Sequence, residues 1–163
     1  MNWTTLLFSF NGRINRGKYW FALLLYMLAW FAFVALCFMW LGSFDADRLF
    51  RFAGGAMLIW LVAIVLFIAG TWSGIAVGIK RLHDRDKSGW WLLLFWLGPS
   101  VLSSGNLSPN DIGDIGSNAI LGLAAFVLMV WGFIELGCLK GTAGPNSYGP
   151  DPLGPQTQPV IQS

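Results

Sequence analysis

The chain has 163 residues, of which 56% are hydrophobic, 16% aromatic and only 11% charged. A soluble domain carries about 25% charge, so eighteen charges cannot cover this much apolar surface in water. Disorder is excluded on the opposite ground, and a formal charge of +2 is too weak a field for a nucleic-acid partner.

Trp3, Leu6, Leu7 and Phe10 fall at helical spacing, which predicts a short interfacial helix over Asn2–Phe10. Residues 19–41 then run for 23 positions without a charge, and residues 53–79 for 27. As helices these would be roughly 34 Å and roughly 40 Å long against about 30 Å of hydrocarbon, so both span, the second with tilt. The first run is too long for a signal-peptide core and no small-residue cleavage site follows it, so it is expected to be an uncleaved span. Asp45–Phe52 reads as a second interfacial segment.

Residues 90–103 give only 14 positions, with Gly98 and Pro99 in the middle. At roughly 21 Å this is either a short span or a re-entrant segment. After a polar run, residues 119–139 hold one charge, Glu135. Asn110, Asp111 and Asp114 in the polar run read as a solvated turn, with Ser117 or Asn118 capping the last helix. The predicted fold class is an all-α integral membrane helical bundle of four apolar segments, the third short or re-entrant. The expected organisation is a single membrane-embedded domain over residues 1–152 and a flexible tail over 153–163.

Lys and Arg set the expected orientation. Four full spans with a cytoplasmic N-terminus put eight of the ten positive residues inside; a re-entrant third segment puts seven inside and moves the tail to the opposite face. Trp20, Trp40, Trp90 and Trp91 lie where an interfacial aromatic belt would. Cys37 and Cys138 belong to opposite ends of their spans, too far apart for a disulfide.

Three stretches carry more specific information: Phe10–Trp20 before the first span, Arg81–Trp91 with its Arg-Leu-His-Asp motif and tryptophan pair, and Gly141–Pro152 in the tail. In this order the chain resembles the domain-of-unknown-function-805 family of small bacterial inner-membrane proteins. The resemblance implies a compact helical protein of the bacterial cytoplasmic membrane and brings no reaction.

The candidate site residues are Arg13, Arg16, Lys80, Arg81, His83, Asp84, Arg85 and Asp86, read as a basic cytoplasmic cap or a contact for lipid headgroups. Arg13, Arg16 and Lys18 are expected to meet Asp84 and Asp86, while Asp86 or Ser88 caps the helix starting near Gly89. His83, followed by Asp84 and Asp86, is the one candidate general base, but a lone histidine without a thiolate does not make a zinc site, so no metal and no cofactor are expected. Glu135 is the lone acid in an apolar span, close enough to its end to pair with Lys140. Gly70, Gly74 and Gly78 form a small-residue stripe for helix packing, within the chain or between copies. Tyr148 is expected to dock the tail.

The function these residues favour is a non-enzymatic scaffold or lipid-interacting module with membrane lipids, anionic ones included, as partners. A homo-oligomer or another membrane protein is a further candidate partner. A small transporter or channel subunit using Glu135 and a headgroup-directed membrane enzyme using His83 are the alternatives.

Overall fold

The computed structural model describes residues 2–42, 49–104 and 115–154. Its regular structure is helical: α1 (Trp3–Phe8), α2 (Arg16–Gly42), α3 (Leu49–Asp84), α4 (Trp91–Ser104) and α5 (Ile115–Phe133), the last running on into one π-helical turn, Ile134–Cys138. Three helices are long and apolar enough to cross a membrane, and α4 is a shorter apolar one. Their surfaces agree with that environment: Phe38 is 70% and Phe67 73% exposed, which lipid tolerates and water does not.

The helix ends follow local chemistry. Asn15 caps α2 by accepting the Lys18 amide on Oδ1 at 2.9 Å, so the helix starts at Arg16, ahead of the apolar run. At the end of α3 the Lys87 amide reaches the Leu82 carbonyl and the Asp86 amide reaches that of His83, at 2.9 and 3.0 Å. Asp86 sits between them with φ 56°, the left-handed position usually given to glycine in this C-terminal motif. Lys80–Asp84 are therefore helical. One expectation on capping is corrected here: Ser117 and Asn118 lie inside α5, which begins at Ile115. Of the two residues expected to cap α4, it is Ser88 that receives an amide, that of Trp90 at 3.4 Å. Of the predicted interfacial segment Asp45–Phe52, Leu49 to Phe52 belong to α3 and the rest lies outside the described residues, as do Asn110, Asp111, Asp114 and the tail beyond Gly154.

The chain falls into two compact units, one of residues 1–9 and 20–77, the other of residues 10–19 and 78–163. In the first, α2 and α3 run antiparallel: the Tyr26 hydroxyl and Ser73 Oγ are 2.6 Å apart, and the Trp40 indole lies where a Cβ on Gly55 would sit. Trp3 of α1 packs on Phe21 with ring centroids 5.5 Å apart.

In the second unit α4 and α5 form an antiparallel hairpin. Phe95 faces Gly132, Gly98 faces Leu128, and Trp91 meets Trp131 edge-on at 5.6 Å, a register in which one helix rises as the other falls. The start of α4 and the end of α5 thus share one end of the hairpin. Pro99 does not stop α4. It removes one amide from the helix ladder, and the Ser103 hydroxyl donates to the Pro99 carbonyl at 2.7 Å.

A Cβ added at Gly132 would lie 3.0 Å from Phe95 Cβ, whereas one added at Gly122 meets nothing within 4 Å. Gly132→Ala is expected to destabilise the hairpin by about 1–3 kcal/mol through overpacking. Gly122→Ala is expected to be neutral or to gain up to about 1 kcal/mol from helix propensity. Thermal unfolding of the two variants in one detergent checks the contrast; equal midpoints would contradict the close crossing.

Candidate functional site

All eight candidate cap residues fall in the second unit, where two arginines and one carboxylate form its buried centre. Arg13, on the segment that leads into α2, uses all five of its N–H groups. Nε and Nη2 donate to Asp84 Oδ1 at 3.2 and 3.1 Å, Nη2 also to the Thr142 carbonyl at 2.6 Å, and Nη1 to those of Gly144 and Gly149 at 2.7 and 3.2 Å. Arg81, one helical turn before Asp84, donates Nη1 to the other carboxylate oxygen at 2.6 Å. Its Nε reaches the Leu136 carbonyl at 2.7 Å and its Nη2 the Leu139 carbonyl. The side chains of Arg13, Arg81 and Asp84 are 1%, 0% and 4% exposed, so these bonds are formed away from solvent.

The tail completes the site. Thr142 donates its amide to the Asp84 carbonyl at 2.8 Å, and Asn146 Nδ2 donates to the His83 carbonyl at 2.8 Å. Gly141 is required by close approach, because the Asp84 carboxylate occupies the place of its missing Cβ. Asn146 and Gly149 pair across a tight turn, and Tyr148 stacks on the His83 ring at 3.9 Å with 6° between the planes. Asp86 Oδ1 accepts the Ser147 amide at 3.2 Å. Asp151 accepts the amides of Leu153 and Gly144, which hold its carboxyl below the usual carboxylate range, with the Arg13 charge adding to the effect. These contacts put the tail beside the end of α3 and the turn that follows it.

A second polar cluster surrounds Glu135 in the π-helical turn. Its Oε1 accepts Arg85 Nε and Lys87 Nζ, each at 3.0 Å, and Lys87 also lies over the Trp91 and Trp131 rings. The expected partner, Lys140, is not the one chosen: its carbonyl instead accepts Arg85 Nη1 at 2.6 Å. Arg16 donates to the Cys138 carbonyl at 3.0 Å and forms no ion pair with Asp84 or Asp86. Lys80 is buried, and its carbonyl accepts the Ile14 amide at 3.4 Å. The His83 ring is hydrogen-bonded to the Gly12 backbone, and its buried Nδ1 has no partner among the described residues. In the glycine stripe, a Cβ at Gly78 would lie 2.8 Å from Leu92, whereas one at Gly70 would meet nothing within 4 Å. Both cysteines are free thiols.

The residues missed by reading the sequence include the side chains of Lys87, Asn146 and Asp151 and, above all, those that contribute backbone. The carbonyls of Leu136, Cys138, Leu139 and Lys140, left open by the end of the helix, are taken by Arg81, Arg16, Arg81 and Arg85 in turn. No side-chain pattern announces an acceptor of that kind.

The chain matches the family described as Protein of unknown function (DUF805) over residues 7–150. It is 32% identical over 145 residues to "Uncharacterized protein YiiR" of Escherichia coli strain K12, covering 89% of this chain and 86% of the relative. It is 29% identical over 144 residues to "Inner membrane protein YhaH" of the same strain, covering 88% and 87%. No solved structure matches.

Two outcomes follow from this geometry. Asp84→Asn leaves Arg13 and Arg81 buried without their carboxylate, and the chain is expected to lose about 3–5 kcal/mol of stability, read as a lowered thermal midpoint. Because the carboxyl of Asp151 is depressed in the folded state, its contribution is full above the ordinary carboxylate range and is lost as pH falls through the lower folded value. The midpoint difference between wild type and Asp151→Asn should therefore shrink on acidification. A difference that grows instead would contradict the docking of the tail.

Proposed function

Since the chain belongs to the family of proteins of unknown function DUF805, whose description carries no reaction, we propose from its geometry that it is a non-enzymatic module of the bacterial inner membrane. In this reading a rigid basic cap faces the cytoplasm, holds the C-terminal tail as a scaffold surface and contacts anionic lipids. The observation that carries it is the use of the buried polar groups. All five Arg13 donors and both Asp84 oxygens bind the chain itself, so this buried centre keeps no free group for a substrate among the described residues.

The alternatives find less support. His83 is covered by Tyr148, and its unpartnered nitrogen is buried. Glu135 is tied to two cations, and the deeper polar groups amount to contacts such as Tyr26 with Ser73, a poor relay for ions. A fixed cap rich in arginine suits a phosphate-rich surface, where each cation contributes about 1 kcal/mol.

Two measurements test this reading. In spheroplasts of a Cys37→Ser, Cys138→Ser chain, a membrane-impermeant maleimide should leave Ala143→Cys unlabelled until the membrane is opened. Labelling of intact spheroplasts would place the cap outside. Reconstituted in vesicles, the wild-type chain should unfold at a higher temperature with phosphatidylglycerol than with phosphatidylcholine, and added salt should reduce the gap. An identical midpoint in both lipids would remove the lipid contact.

A further inference from the structure

The described carboxylates of the second unit are occupied from within: Asp84 by Arg13 and Arg81, Glu135 by Arg85 and Lys87, Asp86 by the Ser147 amide, and Asp151 by those of Gly144 and Leu153. Arg16, Lys18 and Lys140 have no ion pair among the described residues. Two of these three are brought to one place. Arg16 Nη1 binds the Cys138 carbonyl, two residues from Lys140, and Arg85 Nη1 binds the carbonyl of Lys140 itself.

Arg16 has one of its five donors in use, and Arg85 Nη2 has no acceptor among the described residues. Arg16 and Lys140 are exposed, and Arg85 is partly so. Arg16 opens one membrane-length helix and Cys138 closes another, so these cations stand at the depth of lipid phosphates. One turn into the bilayer, Phe133 and Ile134 are 56% and 40% exposed and offer an apolar surface for acyl chains.

We infer that Arg16, Arg85 and Lys140 form a site for the phosphate group of an anionic membrane lipid. This rests on the lipid-contacting reading of the cap and narrows it to one place. Two guanidiniums held by backbone carbonyls keep their remaining N–H groups in fixed forks, which match phosphate oxygens, and the lysine adds a mobile charge. The internal network fixes the forks without neutralising Arg16 or Lys140. The apolar flank favours a lipid over free phosphate, which shares the headgroup's chemistry but gains nothing from Phe133 and Ile134.

The test is native mass spectrometry of the full chain released from mixed phosphatidylglycerol and phosphatidylcholine vesicles. Wild type is expected to retain phosphatidylglycerol selectively. Arg16→Gln and Lys140→Gln should each lower its occupancy by about fivefold or more. Lys18→Gln removes the same charge two positions along α2 from Arg16, where side chains do not share a face, and should leave most of it in place. Lys140→Gln removes no side-chain bond seen in the fold, so its loss of lipid does not report unfolding.

Equal losses from all three variants would overturn the site and leave diffuse lipid attraction standing. Wild type that retains phosphatidylglycerol no better than phosphatidylcholine would overturn both. Displacement of the lipid by millimolar inorganic phosphate would mark a free-phosphate site and overturn the lipid assignment.

Discussion

The pairing of the Asp84 carboxylate with Arg13 and Arg81 is the constraint on which the polar end of the second unit depends. Two buried guanidiniums would repel each other at close range, and one carboxylate between them still leaves an excess positive charge. The excess is met by carbonyl dipoles: three from the tail on Arg13 and two from the end of the helical hairpin on Arg81. The dependence runs both ways. The arginines need the tail's carbonyls to balance their charge, and the tail, whose Leu153 is 77% exposed, has little apolar burial to hold it without the arginines. Order in this Gly- and Pro-rich segment comes from charge-assisted hydrogen bonds rather than from a hydrophobic core.

The same arithmetic explains the end of α5. A helix that stops near the edge of the hydrocarbon leaves carbonyls that lipid cannot satisfy. Here arginines from two separate segments reach them, and their positive charge also suits the negative end of the helix dipole. The π-helical turn at Ile134–Cys138 belongs to this junction, and within it Glu135 is buried under Arg85 and Lys87. Basic residues that look from the sequence like anchors for orientation thus divide into two groups. Some are internal struts, and others keep charge to offer outward.

Much of the helical framework was legible in the sequence because lipid imposes long uncharged runs, and those runs are visible without knowing their neighbours. The ends were less so. The last turn of α3 lies beyond the uncharged run of residues 53–79 because Lys80, Arg81 and Asp84 are charged, yet it is helical and those charges are buried within the fold. The pairing of Arg13 with Asp84 could be anticipated from opposite charge near span ends. The choice of Arg85 and Lys87 for Glu135 could not, since Lys140, five positions on, satisfies the same rule on paper. Gly141 shows the limit most clearly: its need to be glycine comes from a carboxylate 57 positions away, with no local trace. The hairpin register and the resting place of the tail are likewise properties of contact, which no local run of residues announces.

Within residues 10–19 and 78–154, the described charges are eight Lys and Arg against four Asp and Glu, a difference of +4. A protein that needed those cations only to hold its tail would balance them internally, as it does around Asp84. Among the described residues it does not do so at Arg16, Lys18 and Lys140, and at Arg16 a backbone carbonyl fixes the position of a charge that no described carboxylate neutralises. Holding a cation in place without pairing it forgoes electrostatic stabilisation within the chain. In the proposed reading the return on that arrangement lies outside the protein, at a surface that supplies the anion, and a bilayer leaflet is the anionic surface nearest to the ends of membrane-length helices.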